Sequence, residues 1–354
     1  MAPLLKKLNE AEDIESILCV TAQHREMLDQ VLELFELTPD FDLDIMKTNQ
    51  TISQITANVL IGLEGVIQSV CPDYVLVHGD TTTTFASALA SFYQKKKIGH
   101  VEAGLRTHEK YSPYPEEMNR VMTGSLADLH FAPTERNRNN LLREGISDDK
   151  IFVTGNTVVD ALKWVAKKPF KFENELANID FEKKRVITVT CHRRENLGEN
   201  MENIFMAIKR ISDTFEDVEI VYPLHMNPKV REIAVRILKG SEKIHLIEPL
   251  RYQPFVNLMA RSNFIITDSG GMQEEAPALG KPVLVVRKET ERPEAIEAGT
   301  VKLAGVERDT IYKMAEKLLA DPVAYEKMAK AVNPYGDGHA SERIVEILRT
   351  KMES

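Results

Sequence analysis

The chain has 354 residues, 43% hydrophobic and 28% charged, with a net charge of −9. At about 150 residues per domain that length predicts two domains, each with its own core, and the composition excludes disordered, collagen-like and low-complexity architectures. The acidic balance excludes a bulk basic field for nucleic acid, no apolar run approaches the ~18 residues of a membrane span, and the three scattered cysteines, Cys19, Cys71 and Cys191, imply neither a disulfide framework nor a zinc knuckle. The opening MAPLLKKLNEAED lacks the apolar core of a signal peptide, which predicts a reduced, cytoplasmic setting.

Short β-rich runs alternate with helical stretches along the chain. Strands are predicted at 17–21, 74–78, 98–102, 129–132 and 151–153, with helices at 25–35, 52–69, 83–94, 116–127 and 135–144. The strand runs are apolar on both faces, which fits a buried parallel sheet. At 167–184 the pattern breaks into KKPFKFENELANIDFEKK, read as a domain link. A second series follows, with strands at 186–190, 219–222, 244–247, 264–267 and 282–286 and helices at 201–214, 228–238, 254–261 and 271–278. A last helix near 341–351 follows the loop NPYGDGHAS. The expected class is α/β, with two doubly wound Rossmann-like domains at 1–168 and 169–335 and a cleft between them. Ligands of such sheets sit at the carboxyl ends of the strands.

The residues after the strands carry the chemistry. In YVLVHGDTTTT, Gly79 turns the chain and Asp80 follows; taken alone, Asp80 reads as the N-cap of the next helix. In GHVEAGLRTHEKYSPYPEEMNR, Glu102 ends a strand, Arg106 lies in the loop, and Glu116 and Glu117 open a helix behind Pro115. Asp80, Glu102 and Glu116 are expected on one rim, where neighbouring carboxylates supply acid–base groups usable near neutrality. In TVTCHRRENLG, His192 stands beside Arg193 and Arg194, a combination suited to a phosphate or a departing diphosphate. In FIITDSGGMQEEAP, Ser269, Gly270 and Gly271 open a helix to a phosphate, and Glu275 stands ready for a ribose diol. Arg292, in TERPEA, is placed to pair with the same nucleotide. His24 and His225 also follow strands; each alone reads as a structural histidine. No residue set has metal-ligand spacing. Walker A, G-x-G-x-x-G and G-x-S-x-G patterns are absent, so neither NAD nor serine-hydrolase chemistry is indicated and no cofactor is expected.

The motifs TAQHREMLDQVL, VLVHGDTTTT, GHVEAGLRT, YPEEMNR, HRREN, TDSGGMQEEAP, TERPEA and NPYGDG, in that order over nearly the whole chain, resemble the non-hydrolysing UDP-N-acetylglucosamine 2-epimerases. The resemblance implies a glycosyltransferase-B-like fold of two domains, with the segment 336–354 crossing back to the first. It implies interconversion of UDP-N-acetylglucosamine (UDP-GlcNAc) and UDP-N-acetylmannosamine (UDP-ManNAc) by anti elimination of UDP through a bound 2-acetamidoglucal, supplying ManNAc units for cell-surface polysaccharides. The family's catalytic residues fall on Asp80, Glu102, Glu116 and His192, and its UDP contacts on Ser269, Gly270, Glu275 and Arg292. A second UDP-GlcNAc acting as an activator would use Gln23, His24, Gln50, Glu116, Arg193 and His225, with Asn49 where regulated members carry a basic residue. A homodimer is implied as well. A catalytically impaired UDP-sugar-binding protein and a UDP-sugar glycosyltransferase share the architecture; the three carboxylates together with HRREN favour the epimerase over the transferase. Family members begin with a strand and a Gly-Thr-Arg-Pro-Glu turn ahead of Met-Ala-Pro-Leu, where this chain starts. The expectation is therefore a further, central strand upstream, whose neighbours would otherwise lack ladder partners at ~1–3 kcal/mol per buried group.

Overall fold

A computed structural model describes residues 1–22, 25–47 and 49–353, with backbone alone at residue 174. The chain divides into two units, Met1–Ala161 with Tyr335–Ser354, and Leu162–Pro334. No helix among the described residues is long and apolar enough to cross a membrane.

The first unit runs α1 (Ala2–Asn9), β1 (Cys19–Val20), α2 (Arg25–Phe35), β2 (Phe41–Asp42), α3 (Ile52–Val70), β3 (Tyr74–His78), α4 (Thr82–Tyr93), β4 (Lys97–Val101), α5 (Glu116–Leu126), β5 (Leu129–Ala132), α6 (Glu135–Arg143) and β6 (Ile151–Val153). α7 (Thr157–Lys167) spans the division. Helix starts follow the side chains that satisfy free N–H groups: Thr51 with Gln54 and Thr134 with Asn137 form capping boxes at α3 and α6. All ladders are parallel, in a four-stranded sheet of order β3-β4-β5-β6 and a separate pair, β1-β2. Among the described residues β3 and β1 each carry a ladder on one side only.

The second unit runs β7 (Arg185–Thr190), α8 (Glu199–Thr214), β8 (Val218–Pro223), α9 (Pro228–Leu238), β9 (Ile244–Ile247), α10 (Tyr252–Arg261), β10 (Phe264–Thr267), α11 (Met272–Ala278), β11 (Val283–Val285), α12 (Pro293–Glu297), β12 (Val301–Leu303), α13 (Arg308–Ala320) and α14 (Pro322–Ala329). Its six parallel strands take the order β12-β11-β10-β7-β8-β9. The order reverses between β7 and β10, the switch point at which doubly wound sheets bind ligands. Both strands are apolar and buried, and residues such as Ile187, Val189, Phe264 and Ile266 centre the core with Phe205 and Ile208 of α8.

The last helix, α15 (Ala340–Met352), belongs to the first unit. Buried Asp160 accepts from Ala340 N at 3.2 Å and Ser341 N at 2.7 Å, so it satisfies the helix start. Ile344, Val345 and Leu348 then pack with Leu4 and Leu8 of α1.

Candidate active site

In the first unit the turn after β3 is clamped from several sides. Gly79 takes φ 69°, a left-handed conformation that glycine adopts without strain. Its N–H donates to Val101 O at 2.9 Å, and its carbonyl accepts from His100 Nε2 at 2.8 Å. Asp80 O accepts from Asn119 Nδ2 at 2.9 Å, and the Asp80 carboxylate pairs with the Arg120 guanidinium. The N-cap of α4 is Thr81, whose side chain accepts from Thr84 N, so the bland reading of Asp80 as the cap is corrected. The two threonines satisfy the helix start, and the carboxylate is left to Arg120.

Glu102 follows β4 with φ 62°, a conformation costing about 1–2 kcal/mol for a side-chain-bearing residue. His78 Nε2 lies 3.2 Å from its Oε2. Because His78 pairs with Val101 in the ladder, the turns bearing Asp80 and Glu102 leave adjacent strand ends. Gly104 comes next; a Cβ there would lie 2.3 Å from Asn137 O, so the backbone approach to α6 needs glycine. Arg106 is not the solvated loop cation its surroundings suggest: its side chain is buried and holds Glu144 at 2.7 and 2.8 Å.

Glu116 opens α5 and is half-buried, one helical turn before Arg120. The structure thus brings Asp80, Glu102 and α5, which Glu116 begins, to one end of one sheet. Glu117, its neighbour, has a different task. It accepts from Thr107 N at 3.0 Å, His108 N at 2.9 Å and Arg120 Nη1 at 3.3 Å. Burial alone would raise its carboxyl, but these donors outweigh burial and hold it below the usual carboxylate range. Glu117 therefore ties the 102–117 loop to the guanidinium that holds Asp80.

In the second unit the predicted loops leave the switch point. Asp268, fully buried after β10, gathers the HRREN loop, accepting from His192 N and Arg193 N, both at 2.9 Å, and Asn196 Nδ2 at 3.0 Å. His192 stacks on His225 with centroids 5.1 Å apart. Burial lowers the His192 imidazole pKa; the positive charge of Arg193 and the proximity of His225 add to this, and Asp268 opposes it. Arg287, buried at the end of β11, holds Glu195 at 2.7 Å and Glu291 at 3.3 Å. Gln273 of α11 donates to Ser269 O at 3.2 Å and accepts from Thr290 Oγ1 at 2.6 Å. The loops after β7, β10 and β11 are thereby cross-linked side chain by side chain.

Gly270 and Gly271 sit against two of the candidate side chains: a Cβ on Gly270 would lie 3.8 Å from Arg193 Nη2, and one on Gly271 3.4 Å from Glu275 Oε1. Burial, then the charge of Glu274, pushes the Glu275 carboxyl up to about 7. Nearby Tyr252 has a buried hydroxyl without a hydrogen-bond partner among the described residues, raised by burial and by the Glu275 charge. Arg292 pairs with Glu274, and its backbone N–H donates to Thr290 Oγ1 at 3.1 Å. Asn333 Nδ2 in turn donates to Glu274 O at 2.9 Å.

Gln23 and His24 lie outside the described residues. Gln50 accepts from Lys47 N at 2.9 Å, and its Nε2 is buried without a partner among the described residues, as is Nε of Arg193. Sequence reasoning missed Asn119, Arg120, Glu117, Tyr252, Gln273 and Arg287, and gave Asp268 no role. Asn119 and Arg120 stand in YPEEMNR, one helical turn from Glu116, and that spacing was the available signal.

A family model described as UDP-N-acetylglucosamine 2-epimerase matches residues 6–349. The UDP-N-acetylglucosamine 2-epimerase of Bacillus subtilis is 57% identical over 348 residues, covering 98% of this chain and 91% of that protein. The Escherichia coli K12 enzyme of the same name is 53% identical over 355 residues, covering 99% and 94%. The structure of Neisseria meningitidis UDP-GlcNAc 2-epimerase bound to UDP-GlcNAc aligns with a TM-score of 0.84 at 51% identity, covering 99% of this chain and 96% of that one.

Proposed function

The chain belongs to the UDP-N-acetylglucosamine 2-epimerase family, and from that premise we propose how its residues divide the work of the reaction. The enzyme is an isomerase that interconverts UDP-GlcNAc and UDP-ManNAc. One carboxylate of the set Asp80, Glu102 and Glu116 takes the C2 hydrogen as a proton. The C–H electron pair becomes the C1–C2 double bond, and the C1–O bond breaks with its pair leaving on UDP. The 2-acetamidoglucal then takes UDP back at C1, while a proton from a second carboxylate enters C2 on the opposite face. No hydride moves, so the step needs no redox partner. His192 and Arg193 offset the charge that develops on the departing diphosphate.

Ser269, Gly270, Gly271, Glu275 and Arg292 hold UDP. Support for the ribose assignment comes from Glu275, a carboxyl that burial raises to about 7, and from the buried Tyr252 hydroxyl, which has no hydrogen-bond partner among the described residues. The acid–base assignment is carried by one observation: Asp80, clamped by Asn119 and Arg120, leaves the strand end next to that of Glu102. Proton NMR of UDP-GlcNAc with the protein in D2O tests it. The expected product is UDP-ManNAc with deuterium at C2. Binding without exchange, or UDP release only when an acceptor sugar is added, sinks the reading.

The wider assignments follow the resemblance. UDP-GlcNAc serves as activator through Gln23, His24, Gln50, Glu116, Arg193 and His225. The buried nitrogens of Gln50 and Arg193, each within its own unit and without a partner among the described residues, support that role. The protein acts in the cytoplasm as a homodimer, supported by the exposed apolar residues Ile61, Phe92 and Tyr93, and supplies ManNAc for cell-surface polysaccharides.

A further inference from the structure

The two carboxylate oxygens of Asp268 are unequally used. Oδ2 accepts from His192 N at 2.9 Å, Arg193 N at 2.9 Å and Asn196 Nδ2 at 3.0 Å. Oδ1 shares only His192 N, at 3.1 Å, and lies 3.5 Å from His192 Nδ1. A carboxylate oxygen accepts about two donors, so Oδ1 keeps acceptor capacity in a fully buried position, where an unmet lone pair is costly. The Cys191 thiol also stands beside this carboxylate, but a thiol is a weak donor. On its other flank the His192 ring stacks on His225, interplanar angle 13°. His225 Nδ1 accepts from Asn227 N at 3.1 Å, so neutral His225 carries its proton on Nε2.

We propose that Asp268 is the positioning residue for His192: Oδ1 selects the Nδ1–H tautomer of the imidazole and leaves Nε2 as the nitrogen that takes up and presents a proton. The two stacked rings then carry opposite tautomers. When His192 is protonated, its Nδ1–H stays with Asp268 and its Nε2–H becomes a donor for an anion. The 3.5 Å separation is at the long edge of hydrogen-bond range, and contacts of this kind tighten when substrate loads a site. The proposal rests on the assignment of His192 to the diphosphate and deepens it.

The test begins with the unaltered protein. Two-bond proton–nitrogen correlation NMR of 15N-histidine-labelled enzyme, above neutral pH, reads the tautomer of each ring. His192→Gln identifies the His192 signals. The expected result is Nδ1–H for His192 and Nε2–H for His225; Nε2–H for His192 overturns the proposal. In Asp268→Asn the three donors retain the amide oxygen, so the NH2 turns to the imidazole and inverts its tautomer. Turnover should then fall on the order of 10²- to 10⁴-fold, as catalysis through a wrong tautomer does, with the UDP dissociation constant unchanged within about threefold. In the His192→Gln background the same substitution should cost less than about threefold. An equal loss in both backgrounds makes Asp268 merely structural and sinks the idea. Should His192→Gln keep native turnover, the diphosphate role of His192 fails, and the spectrum still decides the tautomer by itself.

Discussion

Asp80 lies two residues past β3 and Glu275 in the first turn of α11, and the surroundings of the two carboxyls differ. Asp80 is held by a guanidinium and a clamped turn, which keep it in a fixed place. Asp80→Asn and Glu102→Gln should each lower C2 deuterium exchange on the order of 10³-fold, while UDP binds within about threefold of native. Native turnover in Asp80→Asn would end the base assignment. Glu275 is instead a buried carboxyl raised to about 7. Glu275→Ala should weaken UDP binding about 10- to 100-fold, by the worth of a charged hydrogen bond, and affect exchange at saturating substrate far less. The same residue predicts a stability effect. Its folded pKa lies above its ordinary value of 4.5, so between those two values the folded state binds more protons than the unfolded one. The contribution of Glu275 to stability is then greatest below pH 4.5, declines as pH rises to about 7, and stays reduced above it. Glu275→Gln should therefore be more stable than native by on the order of 1–3 kcal/mol at pH 8, and no more stable at pH 4, by denaturant titration. Equal stability at pH 8 would mean that solvent already relieves the charge. Candidates such as Asp80 and Glu102 could be singled out from the sequence because each follows a strand. Their holders could not be: Asn119 and Arg120 lie 39 and 40 residues from Asp80, and Asn196 lies 72 from Asp268. Only the fold makes such pairs neighbours.

At the level of elements, β4 and β5 place His100 directly opposite His130. Both are fully buried, and burial lowers their imidazoles to about 3 and about 4. His100 serves the Gly79 carbonyl, whereas among the described residues only the Ala127 backbone comes near the His130 ring, and neither ring nitrogen forms a full hydrogen bond. Folded values below the ordinary 6.5 mean that the unfolded chain binds more protons under acid. Stability is full above pH 6.5 and falls as pH drops through the window toward 4. His130→Leu, close in volume and unable to charge, should flatten that fall and leave the protein about 2 kcal/mol more stable than native at pH 4.5, with little change at pH 7.5. A native acid limb that survives the substitution would place the sensitivity elsewhere. The strands themselves announced their presence through apolar runs, but their register did not, because pairing is decided by distant segments. β2 and β12 went unseen for a simpler reason. Two or three residues, Phe41–Asp42 or Val301–Leu303, are too short to show a period. The long, capped helices were the easiest to read, since α3 carries both its apolar stripe and its Thr51 capping box in local sequence.

For the whole molecule, the remaining surface question is what covers the outer face of α3 and α4. Single exposed apolar side chains need no explanation, but here they adjoin. Ile61, Glu64 and Gln68 follow one helical stripe of α3, and Gln94, just past α4, bonds to both Glu64 and Gln68 at 3.4 Å. Phe92 and Tyr93, their ring centroids 6.2 Å apart, precede Gln94, and they and Ile61 are each more than half exposed on these two packed helices, near the amides and the carboxylate. Apolar residues rimmed by polar ones mark an association surface. The homodimer proposed above would bury the patch isologously, each α3–α4 face against its counterpart. Ile61→Glu combined with Phe92→Glu places like charges across that two-fold contact. In sedimentation velocity at micromolar concentration the native protein should run as two copies and the double variant as one, with far-ultraviolet circular dichroism unchanged because neither residue enters a core. A native monomer, or a double variant that still runs as two copies, would move the dimer contact off this face or remove it.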